Sequence, residues 1–362
     1  MTRFTAPPFE LRGGPGAVQH VSQHGLAPAD IACIPAAAGG PKGLALIPLD
    51  RLLCHEWLGN SQRVEFIGAS VGAWRIAALA QRDPLAALDR VQHAYVHGQC
   101  YDAKPTPLDV SKVCRGIARA AAGPDPLGLR PGVSLTIVTA RARGPLHARE
   151  SRLAFGLAVM SNAVSRRRLA GYLERVVFQA GARSELVCPP AFDEFGLVTV
   201  PLDTANAEDA LLASGTIPLL AAPVRDIAGA PGGQYWDGAL IDYHLLLPYS
   251  RLTRAAGARR VVFYPHFNNY VTPGWLDKHL PWRRAPRAHP WLEDVLLVAP
   301  TPAFLETLPN GKLPDRQDFY RYGPDHGARI RAWEQAIGEC GRFAEAVLRW
   351  MEQPDPTLIK PI

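Results

Sequence analysis

The chain has 362 residues, of which 48% are hydrophobic and 20% are charged, proportions usual for a globular protein with a substantial core. Lysine and arginine total 39 against 33 for aspartate and glutamate, so the net charge is only +6. That mild excess would suit an anionic surface or an acidic substrate. It excludes the concentrated basic face of a dedicated nucleic-acid binder, so we expect no nucleic-acid partner.

Metal, disulfide and targeting signals are weak. The six cysteines are dispersed with no C-x-x-C pair, which favours free thiols over a disulfide framework. His55-Glu56 begins like a zincin helix, but Gly59 stands where the second histidine is needed. We therefore predict no metal and no cofactor.

The N-terminus lacks the apolar run of a signal peptide, and no uncharged stretch could span a bilayer. These features predict a cytoplasmic protein, with peripheral membrane contact as an open alternative.

Two successive units of strand, glycine turn and helix dominate the first part of the chain. Residues 31–35 form an apolar run that ends in a glycine-rich segment, and residues 44–58 then show helical spacing of leucines. Residues 64–67 predict a second strand, followed by another glycine turn and a helix over 73–81. This alternation predicts an α/β fold with a mostly parallel central sheet wrapped by helices on both faces.

The later elements continue this pattern. Strands are predicted at 134–139, 175–178, 197–200 and 260–264, and helices at 207–214 and 327–350. No repeat or convincing linker divides the chain, so residues 1–362 are interpreted as one domain. The proline-rich residues 354–362 are expected to form a frayed tail.

The second glycine turn carries the strongest chemical signal. Gly68-Ala69-Ser70-Val71-Gly72 follows a predicted strand and precedes a predicted helix, which is the context that a nucleophile elbow requires. The glycines at 68 and 72 allow a tight turn that lifts the Ser70 hydroxyl above the sheet edge. The N-terminal amides of the following helix point toward the same place. The alternative is a chance match in a chain rich in glycine and alanine.

The first glycine turn is a candidate oxyanion hole. Gly39, Gly40, Lys42 and Gly43 lie in the segment Gly39-Gly40-Pro41-Lys42-Gly43, whose backbone N–H groups could approach a developing oxyanion closely. Pro41 has no N–H to offer. A phosphate loop is the rival interpretation, but Gly43 occupies the place where the Walker motif needs serine or threonine.

An aspartate far downstream completes the candidate set. Asp237 lies in Tyr235-Trp236-Asp237-Gly238-Ala239, and an aspartate before glycine is most often only a turn former. Its context adds weight, because Ala213-Ser214-Gly215-Thr216-Ile217-Pro218 precedes it as a helix end that breaks into an apolar loop.

In this order, these segments resemble the patatin-like phospholipase family, over a region from about residue 31 to residue 239. The resemblance implies a three-layer hydrolase fold and a Ser–Asp dyad, in which Ser70 attacks an ester carbonyl and Asp237 takes its proton. It implies a lipid acyl hydrolase acting on phospholipid, lysophospholipid or a simpler acyl ester. The chain departs from the family pattern in two places. Ala38 replaces the first loop glycine, and Tyr243-His244-Leu245 stands where Asn-x-Pro is common.

Other functions remain open at this stage. A Ser-Asp-His esterase or thioesterase could use His244, His266 or His289 as its base, and a depolymerase of short hydroxyacyl substrates would use the same machinery as a lipase. A non-catalytic acyl-binding protein on the same fold would be expected to lack Ser70 or Asp237, and both are present.

A predicted surface excursion over residues 268–290 combines tryptophans with basic residues. Such residues suit the headgroup region of an anionic membrane. The alternative, slightly favoured, is a loop whose tryptophans pack inward while its arginines are solvated. The candidate membrane contacts are Trp275, Trp282, Arg283 and Arg284, with Leu276, Lys278, Arg287 and Trp291 beside them.

Overall fold

The protein is mixed α/β, with a mostly parallel central sheet flanked by helices. The computed structural model describes residues 7–59, 63–101, 104–125, 128–148, 152–254, 260–286 and 288–362. Within these residues, one 11-stranded sheet has nine strands in the order β11-β1-β10-β9-β2-β3-β4-β5-β6, and β8 pairs with both β4 and β7. The predicted fold class is confirmed.

The strands of this sheet are β1 (Phe9–Gly13), β2 (Ile31–Ala36), β3 (Val64–Ala69), β4 (Val133–Ala142), β5 (Leu173–Ala180), β6 (Leu197–Pro201), β7 (Val224–Arg225), β8 (Gln234–Asp237), β9 (Val261–Pro265), β10 (Val295–Pro300) and β11 (Ile359–Pro361).

The helices are α1 (Pro15–His24), α2 (Ile47–Leu52), α3 (Val71–Leu79), α4 (Pro84–Gly98), α5 (Pro107–Ala122), α6 (Pro145–Ala148), α7 (Arg152–Val164), α8 (Arg166–Leu169), α9 (Ala207–Ser214), α10 (Ala239–Asp242), α11 (Ser250–Thr253), α12 (Pro302–Leu305), α13 (Gln317–Tyr322) and α14 (His326–Glu352).

The middle of the sheet is parallel and buried on both faces. Strands β10, β9, β2, β3 and β4 pair in parallel in that order, and every residue of β2, β3 and β9 is buried. Helices cover both faces of such strands, so their sequences are continuous apolar runs rather than alternating patterns. All six predicted strands are confirmed, with ends that shift by a few residues.

The helix predictions hold where the apolar spacing is regular. Residues 207–214 coincide with α9, and 327–350 lie inside α14. The single helix predicted over 44–58 is wrong in detail. That segment is a 3₁₀-helix at Gly40–Leu46, then α2, then a π-helical turn at Leu53–Trp57. The glycine-rich start tightens the chain into 3₁₀ geometry, and leucine spacing alone does not distinguish these helical types.

The frayed tail predicted for 354–362 is also wrong. Strand β11 pairs in parallel with β1, and the Ile362 N–H donates to the Gly13 carbonyl at 3.1 Å. Upstream, the Trp350 indole N–H donates to the Asp355 carbonyl at 3.2 Å. The prolines in this segment do not prevent an edge strand, because an edge strand needs hydrogen bonds on one side only.

One edge of β4 brings two distant parts of the chain together. Strand β3 pairs with β4 up to Ala69 opposite Val138, and β8 then continues along β4 with Asp237 opposite Thr139. Strand β5 pairs with β4 across both of these stretches, so β3 and β8 must share the other edge, end to end. The residue after Ala69 therefore faces the end of β8.

No helix among the described residues is both long enough and apolar enough to cross a membrane.

Candidate active site

A serine and an aspartate meet where β3 and β8 approach each other along β4. The Ser70 hydroxyl donates to Asp237 Oδ2 at 2.7 Å. Both residues are buried, with 6% and 4% of their surfaces exposed, yet both line a cavity of about 180 Å³. Two residues 167 positions apart in the sequence thus form one hydrogen-bonded pair that a small ligand can reach.

Ser70 has the backbone conformation of a tight strand-to-helix turn. Its φ of 58° and ψ of −134° lie in a region that non-glycine residues rarely adopt, at a cost of roughly 1 to 3 kcal/mol. Its N–H donates to the Ser214 hydroxyl at 2.9 Å, and that hydroxyl in turn donates to the Val138 carbonyl at 2.8 Å. Ser214 therefore ties the strained turn to β4 and holds Ser70 in place.

Glycines allow the turn to approach its neighbours closely. A Cβ on Gly72 would lie 2.0 Å from the Ala36 carbonyl oxygen of β2, and one on Gly68 would lie 2.7 Å from the Ala73 nitrogen. Any side chain at either position would clash with backbone. Both glycines thus have the packing role predicted for a nucleophile elbow.

Asp237 is hydrogen bonded through both its side chain and its backbone, and it is buried. Its Oδ1 accepts from the Ala239 N–H at 2.8 Å, while its own N–H donates to the Thr216 carbonyl at 2.8 Å. Burial raises the pKa of Asp237 to about 6, although the bonds from Ala239 and Ser70 and the charge of Arg316 act to lower it. The carboxylate is ionised at neutral pH and is more basic than an aspartate in water.

The glycine-rich loop lies beside the serine, but its members have different roles. Gly39 and Gly40 line the cavity. The Ala38 N–H is already used, since it donates to the Tyr243 carbonyl at 3.0 Å. Gly43 packs against Val71, where an added Cβ would lie 2.8 Å from a methyl carbon, and it is absent from the cavity lining. The structure thus brings Gly39 and Gly40 to the site and leaves Gly43 behind it.

Lys42 reaches the cavity through its side chain. Its ammonium lies 5.6 Å from the centre of the Phe267 ring. Burial lowers the pKa of Lys42, while the nearby Asp315 raises it and Lys312 lowers it.

The three histidines of the triad alternative lie elsewhere. His244 Nδ1 accepts from the Thr272 N–H at 3.1 Å, His266 Nδ1 accepts from the Asn268 N–H at 2.8 Å, and His289 Nδ1 accepts from Trp291 at 3.2 Å. The rings of His244 and His266 pack together with centres 4.3 Å apart. No described histidine is hydrogen bonded to Ser70 or Asp237. The two side chains are hydrogen bonded to each other, and Asp237 also accepts from the Ala239 N–H.

The pKa values of the two buried histidines reflect this packing. Burial lowers the pKa of His266 to about 3 and that of His244 well below its ordinary value. Both rings are neutral at physiological pH, and neither is arranged as a base for Ser70.

The aromatic and basic residues of 268–290 divide between interior and surface. Trp275 is half-buried and lines the cavity, whereas Trp282 is 75% exposed. Arg283 donates hydrogen bonds to Asp277 and to the Asn162 carbonyl. The guanidinium carbon of Arg284 lies 3.9 Å from the centre of the Tyr270 ring. Arg287 lies outside the described residues.

Sequence reasoning missed several residues at the site. Arg316 lines the cavity from a segment about 80 positions beyond Asp237, and no local motif marks it. The segment around Ser214 is recognisable in the sequence, but its hydrogen bond to Ser70 is not. Lys278 also lines the cavity, and from the sequence it is only one of several basic residues in a loop.

Comparisons with known proteins identify no family for this chain. No protein-family model matches the sequence, and a search of curated proteins finds no match. Among solved structures, one similar chain is VipD from Legionella pneumophila, at 11% sequence identity and a TM-score of 0.32. That alignment covers 94% of this chain and 71% of VipD.

Proposed function

We propose that this protein is a serine acyl hydrolase that cleaves carboxylic esters of lipids or simpler acyl esters through an acyl-enzyme on Ser70. The observation that carries the proposal is the 2.7 Å hydrogen bond from the Ser70 hydroxyl to Asp237 inside a cavity. The strained backbone of Ser70 supports it, because such strain is typical of nucleophile elbows. The motif order that resembles patatin-like phospholipases points to the same chemistry.

The first half-reaction follows from the pair. Ser70 Oγ attacks the ester carbonyl while its proton passes to Asp237 Oδ2, and the carbonyl oxygen becomes an oxyanion. Gly39 and Gly40 line the same cavity, and their backbone N–H groups are the candidate donors for that oxyanion. One such donor contributes roughly 3 to 4 kcal/mol of transition-state stabilisation. The protonated Asp237 then gives its proton to the leaving alcohol.

The second half-reaction reverses these roles. Asp237 removes a proton from water, which attacks the acyl group on Ser70, and the carboxylic acid leaves as Ser70 recovers its proton. A carboxylate can serve as the base here because burial makes Asp237 more basic than an exposed aspartate.

A fluorophosphonate probe tests the nucleophile directly. The wild-type protein is expected to be labelled at Ser70, and Ser70→Ala is expected to lose both labelling and hydrolysis of a panel of esters of varied acyl length. Ser22→Ala, which removes an exposed hydroxyl on α1, is the matched control and should behave as the wild type. Labelling that persists in Ser70→Ala would refute the assignment.

The choice between dyad and triad is tested separately. His289→Ala removes the partly exposed histidine and should keep ester hydrolysis close to the wild-type rate. A loss of several orders of magnitude in this variant would instead favour a Ser-Asp-His enzyme.

A further inference from the structure

Three positively charged side chains line the cavity without an acidic partner. They are Lys42, Lys278 and Arg316, and none of them forms an ion pair with a carboxylate among the residues that the structure describes. The acidic neighbour Asp315 also lines the cavity, but Lys312 holds it at 2.8 Å and the Gln317 N–H donates to it at 2.8 Å. The cavity therefore has an excess of positive charge.

These three side chains come from separate parts of the chain. Lys42 lies in the 3₁₀-helix after β2, and Lys278 lies in the 3₁₀-helix Trp275–His279, where its ammonium is 4.7 Å from the centre of the Trp275 ring. Arg316 lies against the glycine-rich loop, since a Cβ on Gly40 would be 3.4 Å from its Nε. The fold thus gathers them around one opening beside the nucleophile.

Asp237 and Asp315 offset the charges of Arg316 and Lys42 only in part, so the three positive side chains still repel one another. Burial lowers the pKa of Lys278, and the charges of Arg316 and Lys42 lower it further. Lys42 and Arg316 are half-buried, whereas Lys278 is exposed. Positive charges that line a cleft attract an anion, because its low-dielectric walls concentrate their field. Arginine is also suited to hold a phosphate or a carboxylate by two parallel hydrogen bonds.

We propose that the cavity contains an anion subsite, in which Arg316, Lys278 and Lys42 hold a phosphate or carboxylate group carried by the ester substrate. That the anion belongs to a substrate rests on the proposed function, whereas the binding of an anion in the cavity does not. A different role for Arg316 would be purely electrostatic. Arg316 could act only through its charge on Asp237, and it would then affect neutral and anionic esters alike.

Matched substrate pairs distinguish the two roles. Monooleoylglycerol and its phosphate monoester, lysophosphatidic acid, differ by an anion on the alcohol side. Nitrophenyl pentanoate and the mono-nitrophenyl ester of glutaric acid differ by an anion on the acyl side. We expect the wild type to favour the anionic member of at least one pair in kcat/KM by roughly tenfold. The preferred pair identifies the source of the anion.

The variants then assign the preference to residues. Arg316→Gln and Lys278→Gln should each reduce the ratio of the two kcat/KM values by about fivefold or more. The matched control is Arg321→Gln, which removes one positive charge from the exposed part of α13 and should keep the ratio. An equal fall for both members of each pair, or no anionic preference in the wild type, overturns the subsite.

A binding measurement separates this inference from the proposed catalysis. Butyl phosphate is titrated calorimetrically into Ser70→Ala and into Ser70→Ala/Arg316→Gln, at low and high salt. Binding that weakens with salt and is lost with Arg316 supports the subsite even if no ester is hydrolysed. Binding that is the same in both proteins contradicts it.

An independent observation concerns the outer face of α7. Four of its five exposed large apolar side chains recur at spacings of four, three and four residues, which place them on one stripe of the helix; Val159 lies beside that stripe. The opposite face of α7 packs on the smaller of two core clusters, over Trp236 and Leu240. The exposed residues are Leu153 at 75%, Leu157 at 48%, Met160 at 64% and Val164 at 64%.

Helix α7 packs against a segment that lines the cavity, and exposed arginines border the stripe. Asn162 of α7 donates to Asp277 at 2.9 Å, in the same 3₁₀-helix that carries Lys278. The exposed Trp282 follows that segment, and its neighbour Arg283 donates to the Asn162 carbonyl at 2.8 Å. Arg152, Arg167 and Arg168 are exposed, and neither α7 nor α8 contains an acidic residue.

We infer that the α7 stripe, with Trp282, docks on an anionic lipid surface and so brings the cavity to membrane-bound esters. Apolar side chains bordered by arginines match a bilayer that offers acyl chains beneath negative headgroups. A second copy of the chain is a poorer partner, because pairing two such stripes would bring arginines against arginines.

Vesicle sedimentation tests this surface. The wild type should bind vesicles that contain phosphatidylglycerol more strongly than vesicles of phosphatidylcholine alone, and Leu157→Ser/Met160→Ser should weaken that binding about fivefold or more. Leu108→Ser removes an equally exposed leucine (64%) from α5 and should bind as the wild type does. Equal binding by both variants, or a dimer in solution that the double variant dissociates, overturns the inference.

Discussion

At the scale of single residues, the site depends on one carboxylate kept in an unfavourable environment. Asp237 is buried beside Ser70, and its pKa of about 6 lies above that of an aspartate in water because burial penalises the charged form. The proposed mechanism needs the charged form. The charge that the proposed mechanism requires therefore reduces stability at the same pH values.

The pH dependence of catalysis should follow from this pKa. We expect kcat/KM for a soluble neutral ester to fall as pH drops through about 6, because protonated Asp237 cannot accept the Ser70 proton. A profile measured from pH 4.5 to 8.5 checks this, with circular dichroism at each pH to confirm folding. A rate that does not vary between pH 5 and 7 would argue against Asp237 as the base.

The same residue predicts a trade-off between activity and stability. The folded-state pKa of Asp237 is raised, so its contribution to stability is fully present below the unfolded pKa and is lost as pH rises through about 6. We expect Asp237→Asn to lose about a thousandfold or more in kcat/KM. At pH 8 it should gain roughly 1 to 3 kcal/mol of unfolding free energy over the wild type.

That gain should shrink toward pH 4, where the wild-type carboxyl is itself neutral. Urea denaturation at both pH values measures it. A variant less stable than the wild type at pH 8 would contradict the argument, since the only charge removed is the desolvated one.

Single residues also show which parts of the candidate site can be predicted from the sequence. Ser70 and Asp237 can be identified because a tight turn and a strand end leave local patterns. Arg316 leaves none, because it enters the site only through the packing of a distant loop. Gly43 is predicted as part of the oxyanion hole, yet it packs against Val71 and does not line the cavity, since spacing does not reveal which loop residues face a cavity.

At the scale of elements, a buried arginine holds the short helix that follows Asp237. Arg175 of β5 donates to Asp242 at 2.6 and 2.9 Å, and to Asp193 at 3.0 and 2.7 Å. Asp242 ends α10, the short helix that begins two residues after Asp237. The guanidinium thus holds the segment that follows Asp237.

Loss of this guanidinium should be costly. Arg175→Leu leaves two carboxylates without their partner, and we expect a loss of about 3 to 5 kcal/mol of unfolding free energy. Arg175→Lys should recover only part of it, because one ammonium cannot make both paired contacts. Arg349→Leu, at an exposed site on α14, is the control and should change stability by less than about 0.5 kcal/mol. Chemical denaturation gives all three values.

Element prediction succeeds where burial imposes a regular pattern. Buried parallel strands and the long amphipathic α14 are visible as apolar runs and helical spacing. The sequence does not reveal that β10 and β1 pair antiparallel at one side of the sheet, because pairing depends on contacts between residues far apart. The 3₁₀ and π segments around α2 are missed for a related reason, since packing selects among helical geometries that share similar spacing.

At the scale of the whole molecule, the two ends of the described chain meet at one edge of the sheet. Strand β11 covers β1, and both Ile359 and Ile362 pack against the main core. Without β11, β1 would present unpaired backbone groups to solvent, which promotes aggregation.

Truncation after Gln353 should therefore destabilise the protein. We expect a loss of about 2 kcal/mol or more of unfolding free energy from the two isoleucines, together with faster aggregation on mild heating. Lys360→Ala, which alters only an exposed side chain of β11, should have little effect. Thermal denaturation with light scattering measures both, and a truncated protein as stable as the wild type would contradict the role given to β11.

The shared edge of β4 has one more consequence. Side chains alternate across a strand, so a shift of β8 by a single position would turn Asp237 away from Ser70 and bring Trp236 toward it. Such a misaligned molecule could retain nearly all its secondary structure and still be inert. Under the proposed function, turnover per milligram is thus a stricter reporter of correct refolding than any spectroscopic signal from the backbone.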